Sequence, residues 1–168
     1  MFKKLYIQYV RPHLEFASPA WSPWNETDKS MIEKVQIRAV NQISGLRGNT
    51  YEEKCIELRL ETLEERRRKQ DLAQAYKILS GKDRLRPETL FEQVGENPGR
   101  HTHFTADPLN IVEKRSRLDL RKNSYALRVA KDWNELSREA KTSRTVHTFK
   151  NAVRNPLFTG REVDGPTS

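Results

Sequence analysis

Two clusters of basic side chains are the residues of this chain best suited to do chemistry, and that chemistry is the binding of phosphate groups. Each lysine or arginine that contacts a phosphate releases condensed counterions, so a cationic cluster favours a polyanionic partner. The formal net charge of +8 and the pI near 9.7 agree with this, although a basic solvated surface explains the charge equally well. The clusters are Arg66, Arg67, Arg68 and Lys69, and Lys114, Arg115, Arg117, Arg121 and Lys122.

The first basic cluster has acidic neighbours that allow a second interpretation. Glu61, Glu64 and Glu65 lie near the start of a predicted helix, where the helix dipole favours negative charge. Glutamates three or four residues from a basic side chain also pair with it on a helix surface. The cluster is therefore open to two interpretations, which are local ion pairing and direct phosphate contact.

Other side chains with catalytic or metal-binding potential have no suitable companions. His101 and His103 alternate along the chain, but two histidines without a third ligand nearby favour an exposed loop over a metal site. Cys55 is the only cysteine, and its neighbours Ile56 and Leu58 favour a buried small hydrophobe. No phosphate-cradling glycine loop and no nucleophile elbow occurs. These residues predict no enzyme activity, no metal and no cofactor for this chain.

The spacing of apolar residues predicts a mostly α-helical protein, made of one or more small helical bundles with little or no sheet. The N-terminal helix is expected to bend or divide at Pro12, and Pro19 and Pro23 are expected to prevent further helix. Trp21 and Trp24 have large apolar side chains, so the short loop that contains them is expected to pack on a surface. The apolar stripe of this helix is Leu5, Tyr6, Tyr9, Val10, Leu14 and Ala17.

Capping residues predict the next two helices. Asn25 or Thr27 caps a helix that ends near Gly45. Two capping boxes then pair a threonine with a glutamate three residues later, and the second box starts a helix over residues 63 to 80 that stops at Gly81. The boxes are Thr50 with Glu53 and Thr62 with Glu65. The predicted core faces are Ile32, Val35, Ala39 and Ile43 on one helix, and Leu63, Leu72, Ala75, Tyr76 and Leu79 on the other.

Prolines and glycines interrupt the helical pattern of the chain after Gly81. Their spacing leaves no room for a long helix in residues 82–112, where a short helix at 89–94 and an extended stretch at 100–105 are predicted. Beyond them, a helix over 123–138 places Trp133 on its apolar face, as a core anchor rather than a base-stacking platform. Tyr125, Val129 and Leu136 share that face. Thr145 or Thr148 starts a short last helix.

These elements predict four segments. Residues 1–81 form a helical region, 82–112 a linker or irregular crossing with Pro and Gly, 113–157 a C-terminal helical region, and 158–168 a disordered tail. No apolar run approaches the roughly 20 residues of a membrane helix, and no signal-peptide core occurs at the N-terminus. The chain is therefore expected to be intracellular, in the nucleus or the cytoplasm, without a membrane partner.

A set of short motifs occurs in a fixed order over residues 3 to 157. It comprises RPHLEFASPAWSP at 11–23, Lys34, Val35, Gln36, Arg38 and Ala39, GLR at 45–47, YEE at 51–53, TLEERR at 62–67, Asp71, Leu72, YKIL at 76–79 with Gly81, RLD at 117–119 with Arg121 and Lys122, Arg128, Val129, Trp133, Asn134, Leu136, Phe149 and Lys150. This ordered set resembles the C-terminal part of reverse transcriptases from jockey/CR1-type non-LTR retrotransposons.

The resemblance implies a position within a larger RNA-directed DNA polymerase. In that family this region follows the fingers and palm and takes in the thumb and a C-terminal extension, so residues 1–81 would be thumb-like and the active site would lie upstream of Met1. Polymerisation needs carboxylates that hold divalent metals. The usual mark, an aromatic residue and a variable residue before two adjacent aspartates, is absent, since the chain has no Asp-Asp pair.

The function implied by the resemblance is therefore non-catalytic. The two basic clusters would contact the backbone of RNA or an RNA/DNA hybrid and support the polymerase core, and the upstream polymerase domains would be the protein partner. One alternative is a helical protein-interaction module that packs mainly against those missing domains. Another is a decayed remnant without selected function, because Ser137 stands where the family commonly has a proline after the leucine equivalent to Leu136.

Overall fold

The computed structural model describes residues 2–43, 46, 48–96 and 107–154. This part of the chain is helical and contains no strand, which confirms the prediction of a mostly α-helical protein. One isolated antiparallel bridge joins Gln93 to Ile111. The predicted extended stretch at 100–105, with His101 and His103, and the predicted tail at 158–168 lie outside the described residues.

The helices are short apart from two. The α-helices are α1 (Phe2–Leu5), α2 (Arg11–Glu15), α3 (Ser18–Trp21), α4 (Glu26–Asn41), α5 (Tyr51–Glu57), α6 (Leu63–Leu79), α7 (Pro87–Leu90), α8 (Asp119–Lys122), α9 (Tyr125–Asn134), α10 (Arg138–Lys141) and α11 (Val146–Arg154). A π-helical turn (Tyr6–Val10) joins α1 to α2, and a 3₁₀ turn (Val94–Glu96) precedes the third gap in the described chain.

The chain divides into two compact units, Met1–Gln70 and Asp71–Ser168. This division falls within α6, whereas the sequence places its boundaries at 81/82 and 112/113. Residues 82–112 were predicted as a linker or irregular crossing. They contribute Phe91 and Ile111 to the hydrophobic core of the second unit, because both side chains are almost fully buried.

The π-helical turn explains why the N-terminal apolar stripe differs from the prediction. The N–H of Arg11 donates to the carbonyl of Tyr6, five residues back, in the turn just before Pro12. A π turn places residues at a different angular spacing from an α-helix, so the 3.6-residue period does not hold across it. Tyr6 is accordingly 3% exposed, while Tyr9 and Val10 lie on the surface.

The prediction that Pro19 prevents helix formation was wrong. Pro19 lies in the first turn of α3, where a backbone N–H has no helical partner and proline is tolerated. Pro23 follows the end of this helix, as predicted. The indole N–H of Trp21 donates to the carbonyl of Phe16 at 2.6 Å, yet Trp21 and Trp24 are 42% and 53% exposed. Much of their apolar area therefore faces outward.

Helix α4 begins as predicted but buries a different face. The Asn25 side chain accepts a hydrogen bond from the N–H of Thr27 at 3.1 Å. Gln36 and Val40 are its fully buried residues. The predicted face, made of Ile32, Val35, Ala39 and Ile43, is only half-buried.

Local signals place the starts of α5 and α6 and the end of α6. Thr50 and Glu53 form the complete capping box, with bonds of 2.8 and 3.3 Å. The Thr62 hydroxyl accepts a hydrogen bond from the N–H of Glu65 at 3.2 Å. At the other end, Gly81 has a φ of +66°, and the N–H of Lys82 donates to a carbonyl five residues back at 2.8 Å. This is the Schellman arrangement that a glycine after a helix predicts.

Aromatic stacking organises the core of the second unit. The Tyr76 and Phe149 rings stack with centroids 4.5 Å apart, and Trp133 lies 5.9 Å from Phe149. Trp133 is 2% exposed and donates its indole N–H to the carbonyl of Leu109 at 2.9 Å. It is thus a core anchor, as predicted. Helix α9 ends earlier than the predicted residue 138, because Ser137 caps the separate helix α10.

Candidate nucleic-acid interface

The first basic cluster lies on the N-terminal half of α6, where it faces carboxylates of the first unit. Arg66 donates from Nε and Nη2 to the two carboxylate oxygens of Glu15, with Nη2 to Oε2 at 2.9 Å. This hydrogen bonding raises the pKa of Arg66 above its ordinary value. A guanidinium that donates two hydrogen bonds to one carboxylate is already paired.

Two more members of the first cluster pair with carboxylates, and the fourth is buried. Lys69 Nζ lies 2.8 Å from a carboxylate oxygen of Glu61 and 3.7 Å from one of Glu65. Arg68 lies 3.8 Å from Glu65, and Arg67 is 2% exposed. Of the two interpretations of this cluster, local ion pairing describes the geometry of Arg68 and Lys69.

The second basic cluster presents its cations differently. Lys114 pairs with Glu92 at 3.0 Å. The other four members, Arg115, Arg117, Arg121 and Lys122, are exposed. Within the part of the chain that the structure describes, no carboxylate forms an ion pair with any of these four side chains. Of the cations in the two predicted clusters, these four are both exposed and without an ion pair among the described residues.

Backbone hydrogen bonds fix the start of the segment that carries these cations. The N–H of Val112 donates to the carbonyl of Glu92 at 2.8 Å, and the N–H of Val94 donates to the carbonyl of Asn110 at 2.9 Å. Ile111, between them, is buried in the second unit's core. The cationic segment 114–122 therefore begins two residues after an anchored position.

An ion pair and a cap fix the other end of this segment. The Asn123 side chain donates to the carbonyl of Asp119 at 2.8 Å, which closes α8. Arg128 on α9 donates to the carbonyl of Asn123 at 3.5 Å and also binds both carboxylate oxygens of Asp71 at 2.8 and 3.2 Å. Segment 114–122 is thus held at both ends by the second unit.

Comparison with known proteins finds no matching family model, no matching curated protein and no matching solved structure.

Two further features bear on what the described residues can do. No helix among them is both long enough and apolar enough to cross a bilayer. Nor do any three or more of their histidine, cysteine, aspartate or glutamate side chains gather in a metal-binding group. Cys55 is buried, and burial raises the pKa of its thiol, which keeps the thiol protonated.

A cavity of about 200 Å³ lies beside the N-terminus of α6 in the first unit, and the charged residues that line it are already paired. Lys29 pairs with Glu26 at 2.8 Å and with Glu64 at 2.9 Å. Both carboxylate oxygens of Glu33 accept from the N–H of Leu63, at 3.2 and 3.0 Å. Its charged groups therefore stabilise the protein itself.

The carboxylates that pair with Arg66 and Arg128 could not be identified from the sequence. Glu15 is 51 residues from Arg66, and Asp71 is 57 residues from Arg128. Helical periodicity relates residues three or four apart, so it carries no information on pairs this distant.

Proposed function

We propose that this chain is the C-terminal region of a non-LTR retrotransposon reverse transcriptase and that its segment 114–122 binds the backbone of RNA or an RNA/DNA hybrid. The ordered motifs over residues 3 to 157 support the family assignment, and the all-helical fold is compatible with it. The role is non-catalytic, since a polymerase active site would belong to upstream domains. Those domains are the proposed protein partner.

The observation that carries this proposal is the state of the cations in segment 114–122. Arg115, Arg117, Arg121 and Lys122 are exposed and have no carboxylate partner among the described residues. Binding a phosphate therefore requires no internal ion pair to be broken. Contacts of this kind position a strand without reading its sequence, and they weaken steeply as salt rises.

The experiment measures the affinity of the chain for a labelled RNA/DNA hybrid and for single-stranded RNA between about 50 and 200 mM salt. The test variant carries Arg115→Gln, Arg117→Gln and Arg121→Gln. We expect the slope of log K against log salt to become shallower by about 2 to 3, because each phosphate contact contributes about 0.7 to 0.9. An unchanged slope would remove this segment from the interface.

A control variant of identical net charge separates local contact from overall charge. It carries Arg84→Gln, Lys131→Gln and Lys150→Gln, three exposed positions outside segment 114–122. We expect the wild-type slope to persist in this variant. An equal loss in both variants would mean that the chain attracts nucleic acid only through its total charge.

A second candidate function rests on the surface of the first unit. Several large apolar side chains near the N-terminus are exposed, which in soluble proteins marks contact surfaces when they are contiguous. They are Phe2, Leu5, Tyr9, Val10, Phe16, Trp21, Trp24 and Met31. Docking of this region on the upstream polymerase domains would cover them. Such docking would persist at high salt, whereas phosphate binding would not.

A further inference from the structure

The side chain of Asn134, the last residue of α9, forms hydrogen bonds with both the N–H and the carbonyl of Ile111. Its side-chain oxygen accepts from the N–H of Ile111 at 2.8 Å, and its amide group donates to the carbonyl of Ile111 at 2.9 Å. The same amide group donates to the Glu113 carboxylate at 3.1 Å. One side chain therefore pairs with this stretch as a neighbouring strand would, immediately before segment 114–122.

A buried lysine on the next helix adds two hydrogen bonds to the same region. Lys141 on α10 is 8% exposed and donates to the side-chain oxygen of Asn110 at 2.7 Å and to the carbonyl of Asn134 at 3.3 Å. It therefore joins the end of α9 to the residue before Ile111. A buried ammonium with two well-placed acceptors favours a single arrangement of the groups around it.

The two ends of the cationic segment are tied to the two ends of one helix. Asn134 at the C-terminal end of α9 holds Ile111, and Arg128 near its N-terminal end contacts the backbone of Asn123. The chain between these two points carries Lys114 and the four exposed cations that have no ion pair among the described residues. Helix α9 therefore helps to set the positions of those cations, together with the backbone hydrogen bonds of Val112 and Val94.

We propose that Asn134 is a positioning residue for nucleic-acid binding, which holds segment 114–122 in the arrangement that contacts phosphates. This inference rests on the proposed function of that segment. Ordering a mobile loop on binding costs conformational entropy, so a loop that is already fixed binds more tightly. Loosening one end of the segment should weaken binding without removing any cation.

The test compares the hybrid affinity and salt slope of the full chain with those of Asn134→Ala. We expect the dissociation constant to rise about tenfold while the slope stays as in the wild type, because the number of phosphate contacts is the same. The backbone amide of Ile111 should also exchange faster with solvent in the variant, since its acceptor is lost. A variant that binds as tightly as the wild type would overturn the inference.

The control is Val153→Ala, which trims a buried side chain of α11 and lowers stability without removing either hydrogen bond between Asn134 and Ile111. It should bind like the wild type, and an equal loss of affinity in it would assign the effect to general stability and overturn the inference. A slope that falls with the affinity in Asn134→Ala would also overturn it, because the cations would then have left the phosphates.

If Asn134→Ala does not fold, Asn134→Ser provides the same comparison with a smaller perturbation. A wild-type chain that binds neither the hybrid nor single-stranded RNA would overturn the proposed function and the inference together. A wild type that binds, with either folded Asn134 variant indistinguishable from it, would overturn the inference alone.

Discussion

Gln36 is the residue on which the interior polar contacts of the first unit converge. Its side-chain oxygen accepts from the Tyr6 hydroxyl at 2.8 Å, and its amide group donates to the Tyr51 hydroxyl at 2.8 Å and the Glu61 carbonyl at 3.0 Å. Tyr51 in turn donates to Glu33, whose carboxylate caps α6. A polar group this well satisfied can occupy a core position that an apolar side chain normally takes.

Replacing Gln36 with leucine should therefore destabilise the protein although leucine is more apolar. The change leaves the hydroxyl of Tyr6 and the carbonyl of Glu61 without these partners in a buried site, so we expect a loss of about 2 to 3 kcal/mol in the free energy of unfolding. Urea denaturation followed by circular dichroism measures it. The same substitution at exposed Gln42 should stay within about 0.5 kcal/mol, and equal effects at both positions would contradict the argument.

The same network predicts a loss of stability in alkali. Burial raises the pKa of Tyr6, and burial together with the hydrogen bond to Glu33 raises that of Tyr51, in both cases above the ordinary value of 10.0. The folded state thus favours the neutral phenols. Their contribution is complete below the unfolded pKa and is lost as pH rises above it, by at most about 1.4 kcal/mol per pH unit for each phenol.

Tyr6→Phe provides the check on this pH dependence. It removes one of the two phenols with a raised pKa in this network, so its free energy of unfolding should fall less steeply than that of the wild type above about pH 10. Urea titrations across this range, followed by far-ultraviolet circular dichroism, give both curves. Parallel curves would assign the alkaline loss to other groups.

At the scale of the helix, Gly81 isolates a backbone effect from a packing effect. Its φ is +66°, and a Cβ placed there would have no heavy atom within 4 Å. Gly81→Ala should cost about 1 kcal/mol of unfolding free energy through left-handed strain alone. Gly81→Asn should cost less, because asparagine tolerates this conformation better. Thermal melts of the two variants compare them, and equal costs would rule out a backbone origin.

The helix boundaries that the sequence predicted are those set by residues a few positions apart. The box of Thr50 with Glu53 and the stop at Gly81 each act within one turn, so the residue types alone reveal them. The π-helical turn before Pro12 was missed, because several ways of bending a helix satisfy the same proline. The buried face of α4 was missed because the partners of Gln36 come from distant parts of the chain.

The same distinction between local and tertiary information applies to the candidate interface. Residue types identify both basic clusters, but they do not reveal which cations remain available. Arg66 is committed to Glu15 by contacts that only the fold creates, while Arg115 and Arg117 have no such partner among the described residues. Availability of charge, unlike charge itself, is a property of tertiary structure.

Over the whole molecule, the net charge of +8 is therefore a poor guide to where a polyanion binds. Ion pairs within a unit neutralise part of the positive charge and contribute modestly to the stability of that unit. The cations that remain in solvent determine association with phosphates. Stability and binding should thus depend on different lysines and arginines.

Two double variants of equal net charge test this separation. Arg68→Gln with Lys69→Gln removes cations paired with Glu65 and Glu61, and we expect it to lower the free energy of unfolding by about 1 kcal/mol while leaving the salt slope of hybrid binding unchanged. Arg121→Gln with Lys122→Gln should do the reverse.

In the second double variant, the unfolding free energy should stay within about 0.5 kcal/mol of the wild type, and the salt slope should become shallower by about 1.4 to 1.8. Denaturant titration and binding titration on the same preparations give both quantities. A shallower slope in the Arg68 and Lys69 variant would show that α6 also contacts phosphates, because paired cations would then be leaving their carboxylates for the nucleic acid.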